Sequence, residues 1–186
     1  MMIAYGRMTR WQSRKAGVCA ASGIDGDNLP PRRICRIENV ETFKMRHAPL
    51  FQWAASGCVI RKSVFHESDG QWHSGWTNEN LIEQCVIESV RGHGVMAKTS
   101  SFDHIIKNNV FVLKDGKSPM ISLATADCVG TEIVGNKLLG GSGRIVSGKA
   151  KPALLKNNKA LPPGQAPRPS PKVPSIYEWQ LHHVTS

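Results

Sequence analysis

Short apolar pieces recur along this chain at long and fairly even intervals, and each is built on one plan. They are Arg36-Ile37-Glu38-Asn39-Val40, Val59-Ile60-Arg61-Lys62-Ser63-Val64-Phe65, Leu81-Ile82-Glu83-Gln84-Cys85-Val86-Ile87, Ile105-Ile106-Lys107-Asn108-Asn109-Val110-Phe111, Ile133-Val134-Gly135-Asn136-Lys137-Leu138-Leu139 and Leu154-Leu155-Lys156-Asn157-Asn158-Lys159-Ala160. Anchored on a polar slot at positions 39, 62, 84, 108, 136 and 157, the copies are spaced by 23, 22, 24, 28 and 21 residues. Two positions before the slot every copy has a branched aliphatic: Ile37, Ile60, Ile82, Ile106, Val134 and Leu155. The slot holds an amide in five copies (Asn39, Gln84, Asn108, Asn136, Asn157), and Lys62 is the exception. After the slot the four middle copies turn apolar again, at Val64-Phe65, Val86-Ile87, Val110-Phe111 and Leu138-Leu139. The end copies decay there, as terminal repeats do.

The period selects the architecture. Helical repeats run to ~33 residues or more and need a 3.6-residue apolar rhythm, whereas these pieces are short and β-branched. One coil of a β-solenoid fits, with each coil burying its inward face against its neighbours at the ~4.8 Å strand separation. At that spacing, amides at equivalent positions form a hydrogen-bonded ladder. Asn also tolerates the left-handed backbone of a tight corner. A leucine-rich repeat shares the length range but lacks its L-x-x-L-x-L signature here. Further strand pieces lie at Pro49–Trp53, Gly94–Ala97, Pro119–Leu123 and Gly143–Val146, with turn-rich segments between them.

The phrases Asn80-Leu81-Ile82-Glu83-Gln84-Cys85-Val86-Ile87-Glu88 and His104-Ile105-Ile106-Lys107-Asn108-Asn109-Val110-Phe111, with Gly135-Asn136-Lys137-Leu138-Leu139-Gly140-Gly141, resemble coils of the pectate-lyase-like superfamily. The resemblance implies an all-β, right-handed parallel β-helix of about six coils over residues 35–161, with irregular N- and C-terminal extensions. It also implies polysaccharide as the partner, bound or acted on by lyases, glycoside hydrolases, epimerases or adhesins that are commonly exported. No signal peptide is visible at Met1–Arg10 and the compartment stays open, so the chain reads as a short stand-alone member or as part of a longer protein. Residues 1–34 carry no coil motif and read as a basic arm or cap.

The formal charge is +10, with 24 Lys+Arg against 14 Asp+Glu. The excess sits in residues 1–36 and 149–172, while residues 37–148 hold eleven of each sign. Basic ends attract anionic polymers without selecting a sequence, and specific nucleic-acid recognition is not expected. No apolar run reaches the ~18 residues of a membrane span. The five cysteines, at 19, 35, 58, 85 and 128, form no C-x-x-C pair and read as reduced, buried thiols.

Candidate chemistry concentrates in the turns of the second and third coils. A uronate lyase needs a cation to neutralise the sugar carboxylate and a base for the C5 proton. Arg91, His93 and Lys98 are the candidates for that work. The converging carboxylates of a hydrolase are missing. Trp53, Trp76 and Lys98 each fall fourteen positions after a slot. They read either as a stacked ladder beside the core or as a sugar platform, with His66 and His73 as further substrate contacts. No cofactor is fixed by the sequence. Ca²⁺ is the candidate through Glu67 and Asp69, the one close acid pair in these turns. From Pro162 to Pro174 six of thirteen residues are proline, an extended linker. Beyond it Ile176, Tyr177, Trp179 and Leu181 form an apolar patch suited to covering an open coil end.

Overall fold

Each repeat bends at its slot. Asn39, Lys62, Gln84, Asn108, Gly135 and Asn157 all have left-handed backbone, with φ between 48° and 67°. A left-handed residue cannot continue a strand, so every apolar phrase splits into two strands around a corner. The computed structural model describes residues 36–45, 50–52, 55–68, 71–90 and 92–162.

The first coil contains β1 (Arg36–Glu38), β2 (Glu41–Phe43) and β3 (Leu50–Gln52). The second contains β4 (Val59–Arg61), β5 (Val64–Ser68) and β6 (Gln71–Ser74), and the third β7 (Leu81–Glu83), β8 (Val86–Ser89) and β9 (Val95–Ala97). The fourth contains β10 (Ile105–Lys107), β11 (Val110–Leu113) and β12 (Ile121–Leu123), and the fifth β13 (Glu132–Val134), β14 (Lys137–Gly140) and β15 (Val146–Gly148). A sixth coil contributes β16 (Leu154–Lys156) and β17 (Lys159–Leu161). All pairings are parallel and join equivalent strands of successive coils into three sheets. These are a first sheet β1-β4-β7-β10-β13-β16, a second β2-β5-β8-β11-β14-β17 and a third β3-β6-β9-β12-β15. The described residues form a parallel β-helix of five full turns and a two-stranded sixth, without a helix.

The core is a set of inward columns. In the first sheet Ile37, Ile60, Ile82, Ile106, Ile133 and Leu155 face one another rung by rung. In the second the column is Thr42, Phe65, Ile87, Phe111, Leu138 and Ala160. In the third it is Phe51, His73, Ala97, Leu123 and Gly148. Burying one such aliphatic or aromatic side chain contributes about 1.5–3 kcal/mol, which makes three-residue strands sufficient.

Two expectations need correction. In the fifth coil the slot is Gly135 and not Asn136, and the inward aliphatic is Ile133 and not Val134. The amide ladder is also not at the slot, whose side chains are exposed in the other five coils. It lies one position later. Asn109 Nδ2 donates to Asn136 Oδ1 (3.0 Å), and Asn136 Nδ2 donates to Asn158 Oδ1 (3.0 Å). Each of the three amides also donates to a carbonyl of the coil before it: Asn109 to Ile82, Asn136 to Ile106 and Asn158 to Ile133. The slot makes the corner, and the next residue turns inward and satisfies the backbone polar groups that the corner leaves unpaired.

Candidate functional site

The corner between the third and first sheets holds the most exposed aromatic of the described residues. Trp76 is 62% exposed and has φ 58°. An indole in left-handed backbone is a steric outlier, and its display to water forfeits the stabilisation that burial would give. Around it the corner is polar. Asn78 Nδ2 donates to the Trp76 carbonyl (3.1 Å), and Asn78 Oδ1 accepts from Ser56 Oγ (2.7 Å). Asp127 accepts from the amide and hydroxyl of Ser100, both at 2.7 Å. Hydrogen bonds from Thr125 and Ser100 hold the Asp127 carboxyl below its usual range. In the rung beneath the corner, Asn78 bridges to Phe102.

The expected column of Trp53, Trp76 and Lys98 does not form. The Lys98 amide donates to the His73 carbonyl and the Trp76 amide to the Thr99 carbonyl. Lys98 is therefore level with residue 74, and Trp76 with the 99–100 corner. The loops of successive coils differ in length after the slot, so equal counts do not give equal heights. Trp53 lies outside the described residues.

Of the lyase candidates, Arg91 lies outside the described residues. His93 precedes β9 by two residues and Lys98 follows it directly, at opposite ends of that strand. His93 is half-buried, with Nδ1 shielded from solvent and without a hydrogen-bond partner among the described residues. Burial lowers its pKa, and the nearby Asp115 carboxylate opposes the shift. Asp115 ties this turn to the next coil by accepting from the Gly92 amide (3.2 Å). Burial pulls the Asp115 carboxyl upward. The Ser118 hydroxyl and the amides of Ser118, Lys117 and Gly92 outweigh that pull and hold it below the usual range.

His73 is not a surface contact. It points into the third sheet's core column, is fully buried, and meets Phe51 edge-on at 4.8 Å and His104 at 5.1 Å. Position 73 follows Phe51 in an inward column, and that alternation rather than its chemistry decides its place. His66 is half-buried on the outer face of β5. Its Nε2 is 2.9 Å from Glu41 Oε1, and its ring stacks on Phe43 at 4.6 Å. Its other ring nitrogen, Nδ1, is 3.6 Å from Glu88 Oε2, so both nitrogens face carboxylates of neighbouring coils. Glu67 is exposed, Asp69 lies outside the described residues, and no group of three His, Cys, Asp or Glu able to hold a metal occurs among the described residues.

Sequence reasoning missed a buried polar cluster. Ser101 Oγ lies 2.8 Å from His104 Nε2 and 2.7 Å from Thr77 Oγ1. The Asn80 amide is directed at His104 Nδ1 (3.4 Å), which leaves the ring proton on Nε2, facing Ser101. That tautomer donates to the Ser101 hydroxyl and offers it no base, and all three side chains are buried. The role of the cluster is to satisfy polar groups inside the stack. Burial lowers the His104 pKa to about 4. The signal in the sequence was register alone: His104 occupies the position that Asn80 and Cys58 occupy one and two coils earlier.

The outer face of the first sheet shows a change in charge from coil to coil. Glu38, Arg61, Glu83 and Lys107 alternate in one column, with contacts of 2.9, 3.7 and 3.2 Å between successive members. Beyond Lys107 the column passes through the uncharged Val134 to Lys156, and around the corner Lys137 stands directly opposite Lys159. None of Lys137, Lys156 and Lys159 has a carboxylate partner among the described residues. Residues 36–106 carry seven Lys/Arg against eight acids, and residues 107–162 nine against three. Part of the positive excess therefore belongs to the folded coils and not only to the ends.

Cys58, Cys85 and Cys128 are buried thiols, as expected of structural cysteines. Burial raises the Cys85 thiol to about 12. No helix of the described residues is long and apolar enough to cross a membrane. These features define a parallel β-helix. No family model matches the chain, and no curated protein or solved structure matches it either.

Proposed function

We propose that this β-helix binds acidic polysaccharide, using the Trp76 corner as its sugar contact. The single observation that carries the reading is Trp76, an indole held in strained backbone and turned to water, with the Asn78 amide on its carbonyl and the Thr99–Ser100 corner, anchored by Asp127, in the next coil. Strain of about 1–2 kcal/mol at a bulky left-handed residue persists where function needs it. An exposed ring face packs on pyranose C–H groups while neighbouring amides and hydroxyls bind ring hydroxyls. The cationic fourth to sixth coils favour a glycan bearing carboxylate or sulfate. The likeness of the coil phrases to pectate-lyase-like β-helices supports the same partner class.

The test separates function from folding. Trp76→Gly relieves the left-handed backbone, so the variant is expected to keep or raise its unfolding midpoint. Its retention on immobilised polygalacturonate or alginate is expected to fall at least about tenfold. Unchanged retention would remove Trp76 from the reading, and equal retention on a neutral glucan would remove the acidic preference.

A lyase at the Arg91-Gly92-His93 turn is the second reading, favoured by a half-buried His93 kept neutral beside an anchored Asp115. Absorbance of unsaturated uronate products, followed with and without Ca²⁺, tests it. A signal abolished by His93→Ala supports catalysis there, and no signal on any acidic glycan leaves binding alone.

A further inference from the structure

The two-stranded sixth coil ends the described stack with its core uncovered. Leu155 stands in the inward column with Ile60, Ile82, Ile106 and Ile133, which are all buried, yet it is 52% exposed. Leu154 beside it is 42% exposed, and Ala160 in the second sheet is exposed as well. β16 and β17 are the outermost strands of their sheets, so one edge of each presents unpaired backbone groups.

We infer that the occupant of this edge is the chain's own segment Ser175–Leu181, added in parallel as a seventh rung over β16 and β17. Residues 163–186 lie outside the described structure, and the argument rests on their sequence and on the edge they would meet. In structural register the slots fall at 39, 62, 84, 108, 135 and 157, spaced by 23, 22, 24, 27 and 22 residues. A further 21 residues lead to Glu178. Counted from that slot, Ile176 takes the inward position of the first sheet and Leu181 the inward position of the second. Ile176 would then cover Leu155, and Leu181 would cover Ala160. The connection also fits. Thirteen residues separate Leu161 from Ser175, the same number as separate Gly140 from Leu154 one coil earlier.

Charge makes an independent match. Glu178 is the only acid after Glu132 in the chain. At the front of the stack the slot residue Lys62 reaches back to Glu38, the last residue of the first strand in the preceding coil, with Nζ to Oε1 at 3.5 Å. Glu178 in the seventh slot would face Lys156, which occupies the Glu38 position of the sixth coil. That is the same contact with the signs exchanged. The prolines between residues 162 and 174 suit this outermost turn, since an edge needs no amide to pair with a further coil.

The experiment uses the full chain. Leu155→Cys with Ile176→Cys, in a Cys19→Ser, Cys35→Ser background, is expected to form an intramolecular disulfide that leaves a monomer on a non-reducing gel. A disulfide-linked dimer would overturn the proposal in favour of a second copy at this edge, and absence of any disulfide would overturn it outright. Amide exchange of residues 154–161 supplies the second measurement. Glu178→Lys is expected to speed it about tenfold, and Glu178→Lys combined with Lys156→Glu to restore it. Exchange in this stretch that ignores both changes would overturn the pairing.

Discussion

The front and rear halves of this solenoid solve the same stacking problem with different chemistry. In the front coils the core includes aromatic and imidazole rings, Phe51, His73 and His104, and the outer column alternates Glu38, Arg61, Glu83 and Lys107. In the rear coils the interior is knit by the Asn109, Asn136 and Asn158 amides, and the outer lysines stand without carboxylates. Parallel stacking places like positions ~4.8 Å apart, so a column works only if its members attract or are neutral to one another. The amides meet that condition at any pH, and the histidines meet it only while uncharged. The front charges alternate in sign. The rear charges do not, which leaves the rear the more cationic half.

The largest expected effect breaks the rear interior. Asn136→Leu removes an amide that accepts from Asn109 and donates to the Ile106 carbonyl and to Asn158, leaving several buried groups unpaired. It is expected to lower stability by about 3–4 kcal/mol in urea denaturation. Asn157→Ala, at the exposed corner beside it, is expected to cost only about 1 kcal/mol.

Acid is expected to break the front interior instead. An unfolded histidine takes up its proton near pH 6.5, whereas native His104 does so only near 4 and His73 is held well below its ordinary value by burial and by His104. Between those values the unfolded state binds more protons, so stability falls as pH is lowered from about 6.5 towards 4. His104 alone accounts for about 3 kcal/mol of this. His104→Asn, which repeats the amide that Asn80 supplies one coil earlier, is expected to flatten that slope, and an unchanged slope would refute the assignment.

The surface comparisons are smaller. Arg61→Ala leaves Glu38 and Glu83 facing across one rung without their shared cation and is expected to move the urea midpoint less than Asn157→Ala does, since these groups are open to solvent. Lys137→Glu turns a like-charge pair with Lys159 into an opposite one and is expected to gain about 0.5 kcal/mol. The same change is expected to weaken retention on acidic glycan. A substitution that stabilises the fold while weakening binding would separate the two roles of the rear coils. Loss of both together would return Lys137 to a purely structural account.

The sequence by itself determined the repeat, the parallel stacking and five of the six inward aliphatics of the first sheet, because burial of one face forces an apolar residue to recur at each coil: Ile37, Ile60, Ile82, Ile106 and Leu155 were legible in this way. It located the second and third strand pieces less completely, and β6 carried no apolar signature that set it apart. Only the tertiary structure decided which neighbour of a corner turns inward. That choice moved the fifth slot to Gly135 and the ladder to Asn136, and it sent His73 into the core while leaving Trp76 outside. Positions in a coil are counted along the chain, but height in the stack depends on how each loop closes, and a loop that is longer or shorter by one or two residues changes every partnership after it.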